Sequence, residues 1–185
     1  ALECVNMFFM RFIKPRRLPG MDFEKSIPDD CRTMVVMPVI IDSEKQMEKY
    51  VRSLEAYYMA NRDKNLYFGI LGDLRDAAAA TLPEDDRIIG KGCEMISSLN
   101  KKYAGSEKGP FYFFMRERKW NQNEGCWMGW ERKRGKLEEF NALLSGSMST
   151  SYTVIHGNLE IFPSIRYVIT IDADTELTRG SAAKM

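Results

Sequence analysis

The sequence predicts an α/β domain built on a largely parallel sheet. Short apolar runs rich in β-branched and aromatic residues alternate with stretches whose apolar residues recur at helical spacing. The order is strand, helix, strand, helix, strand, helix, strand. Acidic residues follow two of the strand runs, at Asp73 and at Asp172 and Asp174. Ligands of such sheets bind beyond the carboxyl ends of the strands.

Residues 1–33 read as a connector, broken by Pro15, Pro19-Gly20 and Pro28-Asp29-Asp30. Residues 34–185 are expected to form the domain. The first strand is residues 34–41 (MVVMPVII), apolar throughout as in a strand buried on both faces. Proline removes a ladder donor, so Pro38 is expected near its end. Ser43, with Gln46 three residues on, reads as a capping box. Met47, Val51, Leu54 and Tyr58 then give the first helix one apolar face.

The second strand is 66–71 (LYFGIL), delivering Gly72-Asp73 at its carboxyl end. Residues 74–82 read as a loop. A helix is expected from Pro83-Glu84, with acids in its first turn and Ile88, Ile89, Ile96, Leu99 and Tyr103 inward. Residues 111–115 (FYFFM) are a third strand. Residues 116–134 read as a long irregular stretch, and such stretches in compact domains are often functional. A helix follows over about 135–144, with Gly146 near its end. Residues 145–151 read as a small-residue loop, 152–156 as a short strand and 167–171 (YVITI) as the last.

Two carboxylates at i and i+2 after a buried strand can turn toward one cation. A hard divalent ion, Mg2+ or Mn2+, takes few protein carboxylates and shares itself with phosphate oxygens and water. Asp172 and Asp174 are therefore the metal candidates, against the plain alternative of two acids opening a solvated loop. Arg132-Lys133-Arg134-Gly135-Lys136 precedes an apolar helix, whose amino terminus already favours anions. Arg134, Gly135 and Lys136 are candidates for a diphosphate, with Gly135 admitting close backbone approach; the alternative is a solvated basic face. Trp120, Trp127 and Trp130 stand among asparagines and glycines. They offer indole faces for a sugar ring, unless they are core. Asp73 suits a ribose hydroxyl or a base.

Composition excludes several classes. The net charge is +1 over 185 residues, without the basic excess of a nucleic-acid binder. Cys4, Cys31, Cys93 and Cys126 form no CxxC pair, which argues for free thiols rather than disulfides or zinc. The one histidine, His156, excludes a histidine-rich metal site. No run approaches the roughly 20 apolar residues of a membrane span. Residues 1–13 are apolar, with Lys14, Arg16 and Arg17 after them. They suit the cytoplasmic end of a membrane helix or a short helix packed on the domain. Both ends of the chain read as cuts.

The segments TMVVMP (33–38), ANRD (60–63), LPED (82–85), WMGWERKRGK (127–136) with LEEFN (137–141), and RYVITIDADTEL (166–177) resemble the glycosyltransferase portion of cyclic β-1,2-glucan synthases, glycosyltransferase family 84. The resemblance runs from about Arg16 to the end. It implies a GT-A-like, Rossmann-type three-layer domain, incomplete at its carboxyl end, that forms the nucleotide-sugar-binding part of the enzyme. It implies UDP-glucose as donor, a growing β-glucan as acceptor, a divalent metal, and a membrane-bound parent at the cytoplasmic face of the bacterial inner membrane. By the same resemblance Asp73 would contact uridine, Lys136 the diphosphate, and Asp172 and Asp174 the metal; Trp127 and Trp130, by their indole faces, are candidates for the nucleotide sugar. The reaction would be inverting, its general base lying beyond Met185, so that residues 1–185 alone, a soluble piece, would transfer no glucose. Two other readings compete. DxDx after an apolar strand also suits a haloacid-dehalogenase-type phosphatase with Asp172 as nucleophile, although Glu176 stands where Thr or Val is expected. The plainest is a non-catalytic fold fragment.

Overall fold

The computed structural model describes residues 26–104, 108–147 and 149–185, together with Val5, Phe8 and Phe23. The expected connector and the apolar opening over 1–13 lie largely outside the described residues.

Over the described residues the strands and α-helices run in the order β1 (Thr33–Ile41), α1 (Glu44–Ala60), β2 (Leu66–Leu74), α2 (Asp85–Ala104), β3 (Phe111–Arg116), β4 (Lys119–Asn121), β5 (Cys126–Met128), α3 (Arg132–Leu144), β6 (Tyr152–His156) and β7 (Tyr167–Thr170). The main sheet has the order β6-β3-β2-β1-β7. The β1, β2, β3 and β7 strands run parallel, and β6 joins β3 antiparallel at one edge. The α/β class and mostly parallel sheet are as expected.

Strand alternation sorts the core into two layers. Val35, Met37, Val39 and Ile41 of β1, with Phe68, Ile70, Phe111, Phe113 and Met115, face α1 and α2. Met34, Val36, Leu71, Tyr112 and Phe114 face Phe140 and Leu143 of α3. Three layers result. Gly92 brings α2 close to the sheet: a Cβ there would lie 2.6 Å from the Phe113 ring and 2.8 Å from Met47.

The helix signals are met at α1. Ser43 Oγ accepts from the Gln46 N–H (3.3 Å), and the Gln46 side chain accepts in return from the Asp42 N–H (2.8 Å). The α3 helix ends in a Schellman motif at Gly146 (φ 92°), with Gly146 and Ser147 N–H groups donating to the Leu143 and Ala142 carbonyls.

Four expectations need correction. Pro38 does not close β1, which runs on to Ile41. Pairing with β7 stops at Val36, whose carbonyl accepts from Ile171 N–H. Backbone groups at i and i+2 point the same way, so the donor Pro38 lacks would face the side where β7 has already ended. Next, β2 extends to Leu74, placing Asp73 inside a strand, in register with Arg116 of β3. The stretch 116–134 is not irregular: β4 and β5 pair as a hairpin, tied to the loop after β2 through Ala77 and Trp127. Finally, α3 begins at Arg132, three residues before Gly135. The chain enters it through Glu131 (φ 48°) and Arg132 (φ 46°), both left-handed. No helix among the described residues is long and apolar enough to cross a membrane.

Candidate functional site

The sheet reverses its winding at β1: β2 and β3 lie on one side of it and β7 on the other. The crevice at that switch point, beyond the carboxyl ends of β1 and β7, is where a doubly wound sheet takes its ligand. Asp172, Ala173, Asp174 and Thr175 fall there as a turn closed by Thr175 N–H on the Asp172 carbonyl (2.9 Å). Asp172 accepts from the ammonium of Lys133, in the first turn of α3. Asp172 therefore lies against the tip of α3. Asp174 has a different setting. It lines a groove with Ser53, Ala56 and Tyr57 of α1. Tyr57 O–H donates to the Thr175 carbonyl (2.5 Å), and its phenol is raised by burial and then by the nearby Glu176 and Asp174. The two acids thus do not share one partner.

Beneath this crevice lies a buried ion cluster. Alternation puts Asp73 and Arg116 on the face that α3 covers, both almost fully buried. Arg116 grips Asp73 through two parallel hydrogen bonds, 2.8 and 2.9 Å. Its remaining donors reach the carbonyls of Trp130 and Arg132 (3.0 Å each) and Glu139 (3.4 Å). Lys136 comes from the other side, 3.1 Å from Asp73, and also donates to the Val39 carbonyl. Burial lowers the Lys136 ammonium to about 8, against the pull of Asp73 in the other direction. Burial works to lower Arg116 too, but Asp73 outweighs it and holds the guanidinium above its usual range. Burial would raise Glu139, and bonds from Ser151 and Thr150 override it, leaving the carboxyl below its usual range. Each buried charge has a partner, as burial requires.

This cluster changes the expected roles of three residues. Asp73 and Lys136 are committed to each other and to Arg116, not open to uridine or diphosphate. A Cβ at Gly129 would lie 2.4 Å from the Asp73 carboxylate, so the backbone seals the cluster from above. At Gly135 the space on the Cβ side of the backbone is filled. A Cβ there would meet the Trp130 carbonyl at 2.2 Å and its ring at 2.6 Å, so its smallness serves the corner before α3. Lys133 and Arg134 carry the exposed charge of that helix tip, Arg134 pairing with Glu131 at 3.0 Å.

Of the tryptophans, Trp120 and Trp130 are exposed, and Trp127 is half-buried with its ring against Trp120 (6.0 Å, 61°). One group of three metal-competent side chains occurs among the described residues: Asp76, Glu124 and Cys126. It spans two loops 48 residues apart, so no local spacing announces it. Arg132 already bridges Asp76 (2.9 Å) and Glu124 (2.8 Å). Cys31, Cys93 and Cys126 are free thiols, as expected. His156 meets Ser97 Oγ at 2.9 Å, and no carboxylate among the described residues orients the ring. A cavity of about 660 Å3 opens at the other end of the sheet, beside Leu66 and Ala182.

No family model matches the chain. Along all 185 residues it is 40% identical to cyclic beta-(1,2)-glucan synthase NdvB of Rhizobium meliloti (strain 1021), of which it spans 6% of the length. The resemblance drawn from the sequence motifs is thereby borne out over the whole chain.

Proposed function

We propose that this chain, the counterpart of a short segment of a cyclic β-(1,2)-glucan synthase, is the donor-binding part of an inverting glucosyltransferase. In this reading it takes UDP-glucose with Mg2+ or Mn2+ and helps to build a β-1,2-glucan in a membrane-bound parent. The observation that carries it is the Asp172–Thr175 turn at the switch point, with Asp172 against the first turn of α3.

The donor set suits a hard divalent ion. Asp172 and Asp174 offer carboxylate oxygens at an exposed turn, with no thiol or imidazole beside them. These two residues would hold the metal, which when bound neutralises charge on the departing nucleoside diphosphate. Lys133 stands at the helix terminus, where a diphosphate gains from the backbone N–H groups and the dipole. The Arg116–Asp73–Lys136 cluster positions that terminus. By donating to the Trp130 and Arg132 carbonyls, Arg116 fixes the corner from which α3 starts. These are positioning residues, and no general base is assigned within these residues.

Calorimetry of the chain with UDP, with and without MnCl2, tests the reading. Manganese-dependent UDP binding, lost in both Asp172→Ala and Asp174→Ala, is expected. No UDP binding at millimolar concentration, or undiminished binding in both variants, contradicts it. The glucan-synthase relationship, with Asp172 in the turn that follows the edge strand β7, leaves the phosphatase reading without a favouring observation.

A further inference from the structure

The β4–β5 hairpin and the corner before α3 form a cleft whose lining is separate from the Asp172–Thr175 turn. Trp120 and Trp130 are 53% and 42% exposed, and both line one cleft of about 510 Å3 with Gln122 and Asn123. Large aromatic side chains usually find cover in a core.

A fixed framework holds the two indoles out. The Trp120 ring rests on Trp127, and Trp127 is bonded in both directions to the backbone of Ala77 (2.9 Å each). Trp130 sits at the corner where Glu131 and Arg132 adopt left-handed backbone, a conformation that non-glycine residues keep only when surroundings enforce it. Arg116 does so from below, through the carbonyls on either side of Glu131. Arg132 then clamps the hairpin to the loop after β2 through Glu124 and Asp76. The walls are thus set before any ligand arrives, which lowers the ordering cost of binding.

The lining selects the ligand class. Four charged side chains line the cleft, Lys119 and Arg132 against Glu124 and Glu131; Arg132 pairs with Glu124 and Asp76, and Glu131 with Arg134. The cleft therefore lacks the concentrated positive charge a diphosphate needs. Asn121 is committed to the hairpin turn, accepting from Asn123 N–H (3.0 Å). The side-chain amides of Gln122 and Asn123 have no hydrogen-bond partner among the described residues, and an amide both donates and accepts, as sugar hydroxyls require. Exposed indole faces, uncommitted amides and balanced charge together fit a neutral pyranose chain.

We propose that this cleft is a subsite for the glucan acceptor, with sugar rings stacking on Trp120 and Trp130 and their hydroxyls meeting Gln122 and Asn123. The identity of the saccharide rests on the reading of the chain as part of a β-1,2-glucan-building transferase; the cleft's preference for a neutral sugar does not. It lies on the donor's side of the sheet, since Gly129, which follows β5, abuts Asp73 at the carboxyl end of β2.

The test follows the indole N–H signals in 1H–15N spectra of the 185-residue chain. It is titrated with a linear β-1,2-linked glucopentaose, and separately with UDP and MgCl2. The pentasaccharide is expected to shift the Trp120 and Trp130 signals saturably. Trp120→Ala and Trp130→Ala should each weaken its binding at least tenfold, while Trp120→Phe and Trp130→Phe, which keep an aromatic face and the fold, should retain part of it. Absence of a saturable shift at both indoles, or unchanged saccharide affinity in both alanine variants, overturns the proposal. UDP binding without saccharide binding would leave the donor reading intact and remove this one. Saccharide binding without UDP binding would do the reverse.

Discussion

Asp73, Arg116 and Lys136 place three charges between the sheet and α3, where each is costly without its partners. Replacing Arg116 with methionine leaves the Asp73 carboxylate buried with half its partners gone and frees two carbonyls. A loss of about 3–5 kcal/mol is expected in urea unfolding. Asp73→Asn combined with Arg116→Met should cost less than the two changes added together, because the second removes a charge that the first has left uncompensated. Lys136 gives the cluster a pH signature. Its folded value is lowered to about 8 from 10.5, so between those values the unfolded chain holds the proton more tightly. Stability conferred by this group is therefore lowest below pH 8 and recovers as pH rises toward 10.5. The stability of the wild type relative to Lys136→Met should increase over that window by roughly 3 kcal/mol. A difference that is flat or falls with pH would falsify this account of the cluster.

At the scale of elements, two contacts set how the helices sit. Gly92 lets α2 lie against Phe113 and Met47. Gly92→Ala should destabilise the fold by about 1–3 kcal/mol through overpacking. Met47→Ala should cost less in this variant than in the wild type, since it removes one of the two side chains in the way. Gly146→Ala should cost about 1 kcal/mol by forcing a left-handed position on a residue with a Cβ. Thermal unfolding of these variants measures both effects.

These elements also show what a sequence can announce. Strands β1, β2 and β3 were legible because burial on both faces leaves unbroken apolar runs, and α1 because Ser43 and Gln46 mark its start. The β4–β5 hairpin was not legible. Its strands are three residues long, and what holds them is a distant loop at Ala77 rather than alternation. The entry to α3 was hidden for another reason: Glu131 and Arg132 are left-handed without being glycine or asparagine, so residue type gives no warning. The acids of the Asp172–Thr175 turn were visible at once. The burial of Asp73 was not, because its partner stands 43 residues away in the chain.

For the whole molecule, the reversal of winding at β1 brings the two kinds of feature together. The sheet presents the exposed turn after β7 and the basic tip of α3 to the same crevice. The buried cluster below keeps that tip in place, and the tryptophan hairpin stands at the same end of the sheet. The 40% identity to a glucan synthase along the entire chain gives this arrangement its chemical context. The most direct test of the proposed cation site is paramagnetic broadening of backbone amide signals by Mn2+ in the presence of UDP. Broadening should centre on residues 172–175 and reach Lys133 at the start of α3. Broadening centred instead on Asp76, Glu124 and Cys126, or spread evenly over the acidic surface, would contradict the assignment.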